Sequence, residues 1–184
     1  TSFTGSASLG DMVFISSATA SSSASIEFDL GSYKEYKFFF VNIHPSSDAA
    51  EFEFQCSTDN GSNYNTTITS SHFRAVHDEA GTTTLFTYFT SGDQAQGTSF
   101  ERLSQDTGSD NDQCCVGTLQ LFDPNSSVFV KHFIANIQNI AATNFSTNEY
   151  KAGYFNDTND LTNIKFKFAS GNIDSGKILM FGLN

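Results

Sequence analysis

Two loops of the sequence are rich in side chains that could bind a hard cation. The first spans residues 57–63, and the second spans residues 106–112 and includes Asp106, Asp110 and Asp112. Calcium takes about six to eight oxygen ligands, which flexible acidic loops can supply. Neither loop has the EF-hand pattern of a closing Glu between two helices, and a solvated turn is the ordinary alternative for both. The carboxylates of the second loop are the candidate ion or ligand site.

The histidines and the known catalytic motifs give no enzymatic site. His72 and His77 lie five positions apart, so on a strand they would point to opposite faces, which argues against a shared metal ion even with Asp78 and Glu79 nearby. The sequence has no nucleophile elbow, phosphate-binding loop or dinucleotide motif. No pair of carboxylates stands out for glycoside hydrolysis. We therefore predict that the chain is not an enzyme and carries no cofactor.

The cysteines indicate free thiols. Cys56, Cys114 and Cys115 are odd in number, two of them are adjacent, and the metal-binding spacing of two residues between cysteines is absent. This pattern favours three reduced cysteines in a protein made in a reducing cytoplasm.

Exposed tyrosines are candidates for stacking on sugar rings. The candidates are Tyr33, Tyr64, Tyr88, Tyr150 and Tyr154. Aromatic residues more often serve a core or an interface, and the absence of tryptophan weakens the case for a dedicated sugar site.

Composition and charge narrow the class of protein. The chain has 184 residues, which suits one domain with a substantial core, and a formal net charge of −11, which disfavours nucleic-acid binding by a basic face. No apolar run is long enough to span a membrane, and no basic leader with an apolar stretch opens the sequence. With 20 Phe, few helix formers and many turn residues, the composition is typical of an all-β protein.

The segment from Tyr36 to Ile43 is apolar on both faces of a predicted strand. Tyr36, Phe38 and Phe40 alternate with Phe39, Val41 and Ile43. Since one face of a small antiparallel sheet is usually wet, such a strand is covered on both sides or lies at an oligomer contact. We therefore predict an interface at Phe38, Phe39, Phe40 and Val41.

Other period-two runs complete the predicted fold, which is an antiparallel β-sandwich, jelly-roll-like, with a closed barrel as the alternative. We expect residues 26–184 to form the sandwich, and residues 1–25 to form an N-terminal arm or first strand with a Ser-rich linker. Residues 92–112 are predicted as a long loop and residues 71–80 as the best helical turn. Four rings are predicted to be buried in the core: Phe28, Phe54, Phe166 and Phe181.

Several segments together resemble a family of small virion structural proteins of tailed bacteriophages, especially marine phages of cyanobacteria. The segments are residues 28–30, 33–38, 57–64, 121–125, and 164–173 running into 178–183. The order of these segments and the Ser170-Gly171-Asn172-Ile173 to Gly182-Leu183 ending carry the resemblance, which covers most of the chain.

The resemblance implies a structural role on the particle, as capsid decoration or as a tail appendage, and brings no catalytic residues. It implies other virion proteins as partners, a homo-oligomer such as a trimer, no contact with nucleic acid or membrane, and assembly in the host cytoplasm. The alternative function is a lectin-like carbohydrate- or receptor-binding module.

Overall fold

The computed structural model describes residues 12–183, which form thirteen strands and no helix. No helix in this range could therefore cross a membrane. The strands are β1 (Val13–Thr19), β2 (Ile26–Asp29), β3 (Glu35–Pro45), β4 (Ala50–Ser57), β5 (Ile68–Asp78), β6 (Thr84–Tyr88), β7 (Ala95–Gly97), β8 (Glu101–Thr107), β9 (Cys115–Phe122), β10 (Lys131–Ile140), β11 (Phe145–Phe155), β12 (Asn163–Phe168) and β13 (Ile173–Leu183).

Two antiparallel sheets pack face to face. The larger sheet has the order β1-β13-β3-β9-β10-β11-β5-β6, and β7 pairs with the same edge of β5 as β6 does. The smaller sheet has the order β2-β12-β4-β8. The predicted all-β sandwich is confirmed, and the crossings of the chain between the two sheets are compatible with a jelly roll.

Phenylalanine rings fill the space between the sheets. The ring centroid of Phe166 on β12 lies 5.3 Å from those of Phe38 and Phe40 on β3 of the opposite sheet. Phe54 of β4 makes an edge contact with Phe133 of β10 at 5.2 Å. All five rings are buried, and burying a ring of this size contributes about 1.5–3 kcal/mol.

The sandwich begins before residue 26. β1 pairs with β13 over Val13–Thr19, so the start of the predicted Ser-rich linker belongs to an edge strand. An edge strand pairs through its backbone N–H and C=O groups. Small polar residues carry these groups just as apolar residues do, so a Ser-rich run can form such a strand. Residues 1–11 of the predicted arm lie outside the described residues.

The predicted helical turn at residues 71–80 is wrong, because these residues lie in and just after β5. The inner face of β5 carries polar residues, so the strand lacks the alternation that marks a half-buried strand. The predicted loop at residues 92–112 is also wrong, because it contains β7 and β8.

Candidate functional site

The outer face of the smaller sheet is charged and internally paired. Lys165 lies 2.9 Å from Glu27 across β12 and β2, and Lys167 lies 2.6 Å from Glu53 across β12 and β4. Pairs of opposite charge on neighbouring strands satisfy one another without an external partner. This face therefore offers little unsatisfied surface.

The outer face of the larger sheet carries apolar side chains at both ends. At the β1 end, Phe14, Phe39, Val41 and Phe181 form what we call the first patch. The ring of Phe181 lies 5.5 Å from the rings of both Phe14 and Phe39, in edge contacts. Phe14 is 54% exposed and Val41 is 43% exposed.

This placement corrects two sequence predictions. Phe38 and Phe40 of the predicted interface are buried in the core, so that only Phe39 and Val41 face outward. Phe181, predicted as a core ring, is half-buried on the outside, whereas Phe28, Phe54 and Phe166 are buried. On β13 the inward positions near Phe181 belong to Ile178 and Met180, which gives Phe181 the outward parity.

At the other end of the sheet, one row of residues crosses four strands. Asn136, Tyr150, Phe73 and Tyr88 are successive partners on β10, β11, β5 and β6, and we call them the aromatic row. Phe73 and Tyr150 stack with a centroid distance of 5.0 Å and an interplanar angle of 9°. Phe86 packs edge-on against Phe73 and is itself 73% exposed.

Polar groups are interleaved with these rings. The Tyr88 hydroxyl donates to the Asp93 carboxylate. The Asn148 amide donates to the Tyr150 hydroxyl at 2.9 Å. The surface therefore offers both apolar ring atoms and hydrogen-bonding groups. A polar organic ligand can contact the rings and form hydrogen bonds at the same time.

A groove with a volume of about 520 Å³ lies beside the aromatic row. The groove, called here the outer groove, is lined on its outward side by Thr69, Ser71, His132, Ile134, Ala152 and Tyr154. Its floor is low because the outward side chain of Ala152 is small. The next residue, Gly153, lies on the inward side of β11, where it faces the ring of Phe133. A Cβ at Gly153 would lie 2.6 Å from Phe133 Cζ and 2.7 Å from the Thr69 carbonyl oxygen, so this position requires glycine.

A charged cluster lies on the inner face of the same strands. His72 of β5, Glu101 of β8, and Glu149 and Lys151 of β11 are all buried. The Lys151 Nζ lies 3.2 Å from His72 Nδ1 and 3.4 Å from Glu101 Oε1, and it donates to the Gly92 carbonyl oxygen at 2.5 Å. Burial lowers the pKa of Lys151, an effect that the charges of Glu101 and Glu149 oppose.

The partners of His72 define its tautomer. An ammonium group can only donate, so Nδ1 accepts from Lys151 and the ring proton resides on Nε2. Nε2 lies 2.6 Å from Glu149 Oε2, but both atoms lack a hydrogen bond, which indicates a bent electrostatic contact. The other oxygen of Glu149 accepts from the backbone N–H of Gln105 at 2.7 Å. All four side chains are buried, so the cluster links β5 and β11 of the larger sheet to β8 of the smaller sheet.

The cluster fixes the segment that joins β6 to β8. Gly92 packs directly on His72, since a Cβ there would lie 2.1 Å from His72 Nδ1. Gln94 donates to Glu101 Oε2 at 2.9 Å, and Ser70 donates to the same carboxylate at 3.0 and 3.1 Å. Asp93, the partner of Tyr88, lies in this segment, so the buried cluster supports one end of the aromatic row.

The carboxylates predicted as an ion site do not converge. Asp106, Asp110 and Asp112 are exposed, and Asp106 accepts from the neighbouring Gln105 side chain at 2.9 Å. In the other loop, Asp59 accepts from Ser57 and Asn63, and these bonds lower its pKa to about 2. Within residues 12–183, no group of three or more His, Cys, Asp or Glu is placed to hold a metal ion.

The remaining histidines and tyrosines of the sequence analysis are separated. His72 is buried and His77 is exposed on opposite faces of β5, as their odd spacing predicts. Tyr88 and Tyr150 share the aromatic row, and Tyr154 lines the outer groove. The other two candidates lie elsewhere: Tyr33 packs on Tyr36, and Tyr64 lies under Lys165.

The three cysteines are free thiols in the structure. Cys56 and Cys115 are buried, and burial raises the pKa of each. Cys114 is half-buried and shares a depression with His44 and Asp112, but burial raises its pKa as well, which is unfavourable for a nucleophile.

Comparisons with known proteins add no relative to these observations. No family model, no curated protein and no solved structure matches the chain. The function is therefore argued from the surface of this chain itself.

Sequence reasoning missed the buried cluster and, apart from Tyr154, the residues that line the outer groove. Glu101, Glu149 and Lys151 are not distinguishable in the sequence from surface charges. The one available signal is the odd spacing of His72 and His77. On a strand this spacing puts the two histidines on opposite faces, so that one of them faces the core.

Proposed function

We propose that the chain is a structural component of the surface of a tailed-phage particle, as capsid decoration or as a tail appendage, and that it acts by binding rather than by catalysis. Its partners are other virion proteins and further copies of itself, and it assembles in the host cytoplasm.

The observation that supports this proposal best is the first patch. The outward rings of Phe14, Phe39 and Phe181 lie together with Val41 at one end of the larger sheet. Exposed apolar clusters of this kind mark interaction surfaces. The contrast with the paired charges of the smaller sheet gives the sandwich one face suited to association.

The acidic composition is consistent with this role. A net charge of −11 keeps a high-copy subunit soluble and repels packaged DNA.

A second candidate, a carbohydrate- or receptor-binding module, is favoured by the outer groove and the aromatic row. The two functions are compatible, because a tail appendage carries both an attachment surface and a receptor surface. The first patch and the outer groove lie at opposite ends of the same sheet.

Self-association tests the role of the first patch. We expect light scattering to give a multimer for the unaltered chain and a smaller species for Val41→Asp. Phe86→Asp is the matched control, because it places the same charge at an exposed position outside the first patch. A multimer that Val41→Asp leaves intact would contradict self-association through this patch.

A reconstruction of the particle tests the location. We expect density for the sandwich on the outside of the head or tail, with the first patch covered by a neighbouring protein. A particle map without this sandwich, or with the first patch bare, would overturn the proposal.

A further inference from the structure

We propose that the outer groove is a binding site for a neutral glycan chain, whose sugar rings lie along the aromatic row. This inference rests on the proposed role of the sandwich as a surface binding module. It adds the chemical class of the ligand and the residues that select it.

The first argument is the arrangement of rows on the outer face. His132, Tyr154 and Thr69 form one row across β10, β11 and β5, and Ile134, Ala152 and Ser71 form the next. The aromatic row comes one step further along the same strands. Rows of one face are about 6.8 Å apart, because alternate residues share a face and each residue advances about 3.4 Å. In the middle row Ala152 and Ser71 are small, so this part of the row is a trough between Tyr154 and Tyr150, and the exposed side chain of Ile134 bounds it on β10.

The second argument is the chemistry of the walls. Tyr150, Phe73 and Tyr88 are 36%, 40% and 52% exposed, although rings of this size are usually buried. Sugar rings present apolar C–H faces, which contact aromatic rings favourably, and hydroxyl groups, which require hydrogen bonds. The hydroxyl of Ser71 and the amides of Asn136 and Asn148 lie beside these rings, and the hydroxyl of Thr69 lies beside Tyr154 at the far side of the outer groove. These groups supply such partners.

The third argument is charge. The residues that line the outer groove include no Lys, Arg, Asp or Glu. The one carboxylate next to the aromatic row, Asp93, already accepts from Tyr88. With a net charge of −11 and no cation in the groove, an anionic polysaccharide would be repelled. The groove therefore selects a neutral chain.

The fourth argument is preorganisation. The outer groove lies on three hydrogen-bonded strands rather than on loops, and His72 and Lys151 hold β5 and β11 together beneath it. A rigid site of this kind loses little conformational entropy when it binds a ligand.

Isothermal titration calorimetry with defined oligosaccharides tests the inference. The probes are neutral linear hexasaccharides of glucose, mannose and galactose, with the polyguluronate hexasaccharide as the anionic comparison. We expect at least one neutral probe to bind and the anionic probe not to bind. Absence of binding by every neutral probe, or a preference for polyguluronate, would overturn the inference.

Three variants locate the binding. Phe73→Ala and Tyr150→Ala should each weaken binding by about fivefold to tenfold, as expected for the loss of one aromatic contact. Ala152→Phe fills the trough and should abolish binding, and circular dichroism verifies that the variant folds. Phe129→Ala, at a ring that is 70% exposed and belongs to neither the outer groove nor the first patch, is the matched control and should bind as the unaltered chain does. Equal affinity in Ala152→Phe and the unaltered chain would place the sugar elsewhere and refute the assignment.

These outcomes are separable from those of the proposed function. Self-association and particle location depend on the first patch, which the groove variants leave intact. Loss of sugar binding with a normal particle location would reject only the glycan site. Sugar binding by a chain that the particle does not contain would reject the virion role and retain the site.

Discussion

Lys151 places its ammonium group 3.2 Å from Nδ1 of His72 on the neighbouring strand, with both side chains buried between the sheets. The adjacent residue on β11, Tyr150, points outward and stacks on Phe73, the neighbour of His72. One pair of strands therefore carries charges inside and aromatic rings outside, which reverses the usual arrangement of a half-buried sheet. The interaction surface and the buried cluster are two faces of the same strands.

Removal of the Lys151 charge should destabilise the fold. Lys151→Met leaves Glu101 and Glu149 buried without their cation, and breaking a buried ion pair costs about 3–5 kcal/mol. Urea denaturation should give a free energy of unfolding lower by this amount. Lys177→Met, on an exposed lysine of β13, is the matched control and should change stability by less than about 0.5 kcal/mol.

The double variant Lys151→Met with Glu101→Gln should be less unstable than the sum of the two single changes. In the double variant, residue 101 carries no charge, so the absence of the Lys151 cation leaves one buried carboxylate fewer without a partner. The loss of unfolding free energy is therefore smaller than the sum of the two single losses. Additive losses in urea denaturation would show that the two side chains do not interact, contrary to the 3.4 Å contact.

Asp78 should make stability depend on acidity. The Thr82 side chain and the amides of Thr82 and Thr83 donate to its carboxylate and lower its pKa from 3.8 to about 2. The folded state therefore binds the proton more weakly than the unfolded chain does. The stabilisation is present above about pH 4 and is lost as the pH falls toward 2.

Urea midpoints measured between pH 6 and pH 2 test this dependence. Asp78→Asn should show a smaller loss of stability on acidification than the unaltered chain. Asp160→Asn, at an exposed carboxylate, is the control and should change the acid dependence little. An identical acid dependence in Asp78→Asn and the unaltered chain would contradict the argument.

Phe166 should be the most costly core ring to remove. Its ring contacts Phe38, Phe40 and Phe52 as well as its neighbours on the smaller sheet. Phe166→Ala removes these contacts and leaves a cavity, at a cost of about 3–5 kcal/mol in the free energy of unfolding. Phe86→Ala, at a ring that is 73% exposed, should cost less than about 0.5 kcal/mol in the same urea experiment.

The thiols should react in a fixed order. Cys114 is half-buried, whereas Cys56 and Cys115 are buried with raised pKa values, so a thiol reagent should modify Cys114 first. Unreduced protein in denaturant should titrate as three thiols. Cys114→Ser should remove the fast phase, and a count of one in denaturant would reveal a disulfide that the structure does not contain.

The sequence predicts the strands whose inner face is apolar. β4 and β12 alternate Phe52 and Phe54, or Phe166 and Phe168, with charged residues, and the alternation identifies both the strand and its buried face. β3 is also predicted, but its two apolar faces conceal which of them enters the core. Burial of Phe38 and Phe40 is decided by the position of the second sheet, which the sequence of β3 does not encode locally.

The alternation of apolar and polar residues does not identify the buried face of β5 or of β11. On these strands the hydrophobic pattern points outward through Phe73 and Tyr150, so a rule that places apolar residues inside assigns the wrong face. The burial of His72, Glu149 and Lys151 depends on Glu101, which comes from a different sheet. Only the tertiary fold brings these charges together. The sequence names Tyr88, Tyr150 and Tyr154 as exposed aromatic candidates, but it does not show that they lie on one face with Phe73.

The position of β13 between β1 and β3 makes the first patch depend on the last described strand along the chain. The first patch takes Phe14 from β1, Phe39 from β3 and Phe181 from β13, the last described strand along the chain. The ribosome must deliver all thirteen strands before these three rings can meet, so a nascent chain does not carry the finished patch. Chains that stop early cannot complete it either. Under the proposed role of the first patch, a chain that lacks β13 therefore cannot associate through it.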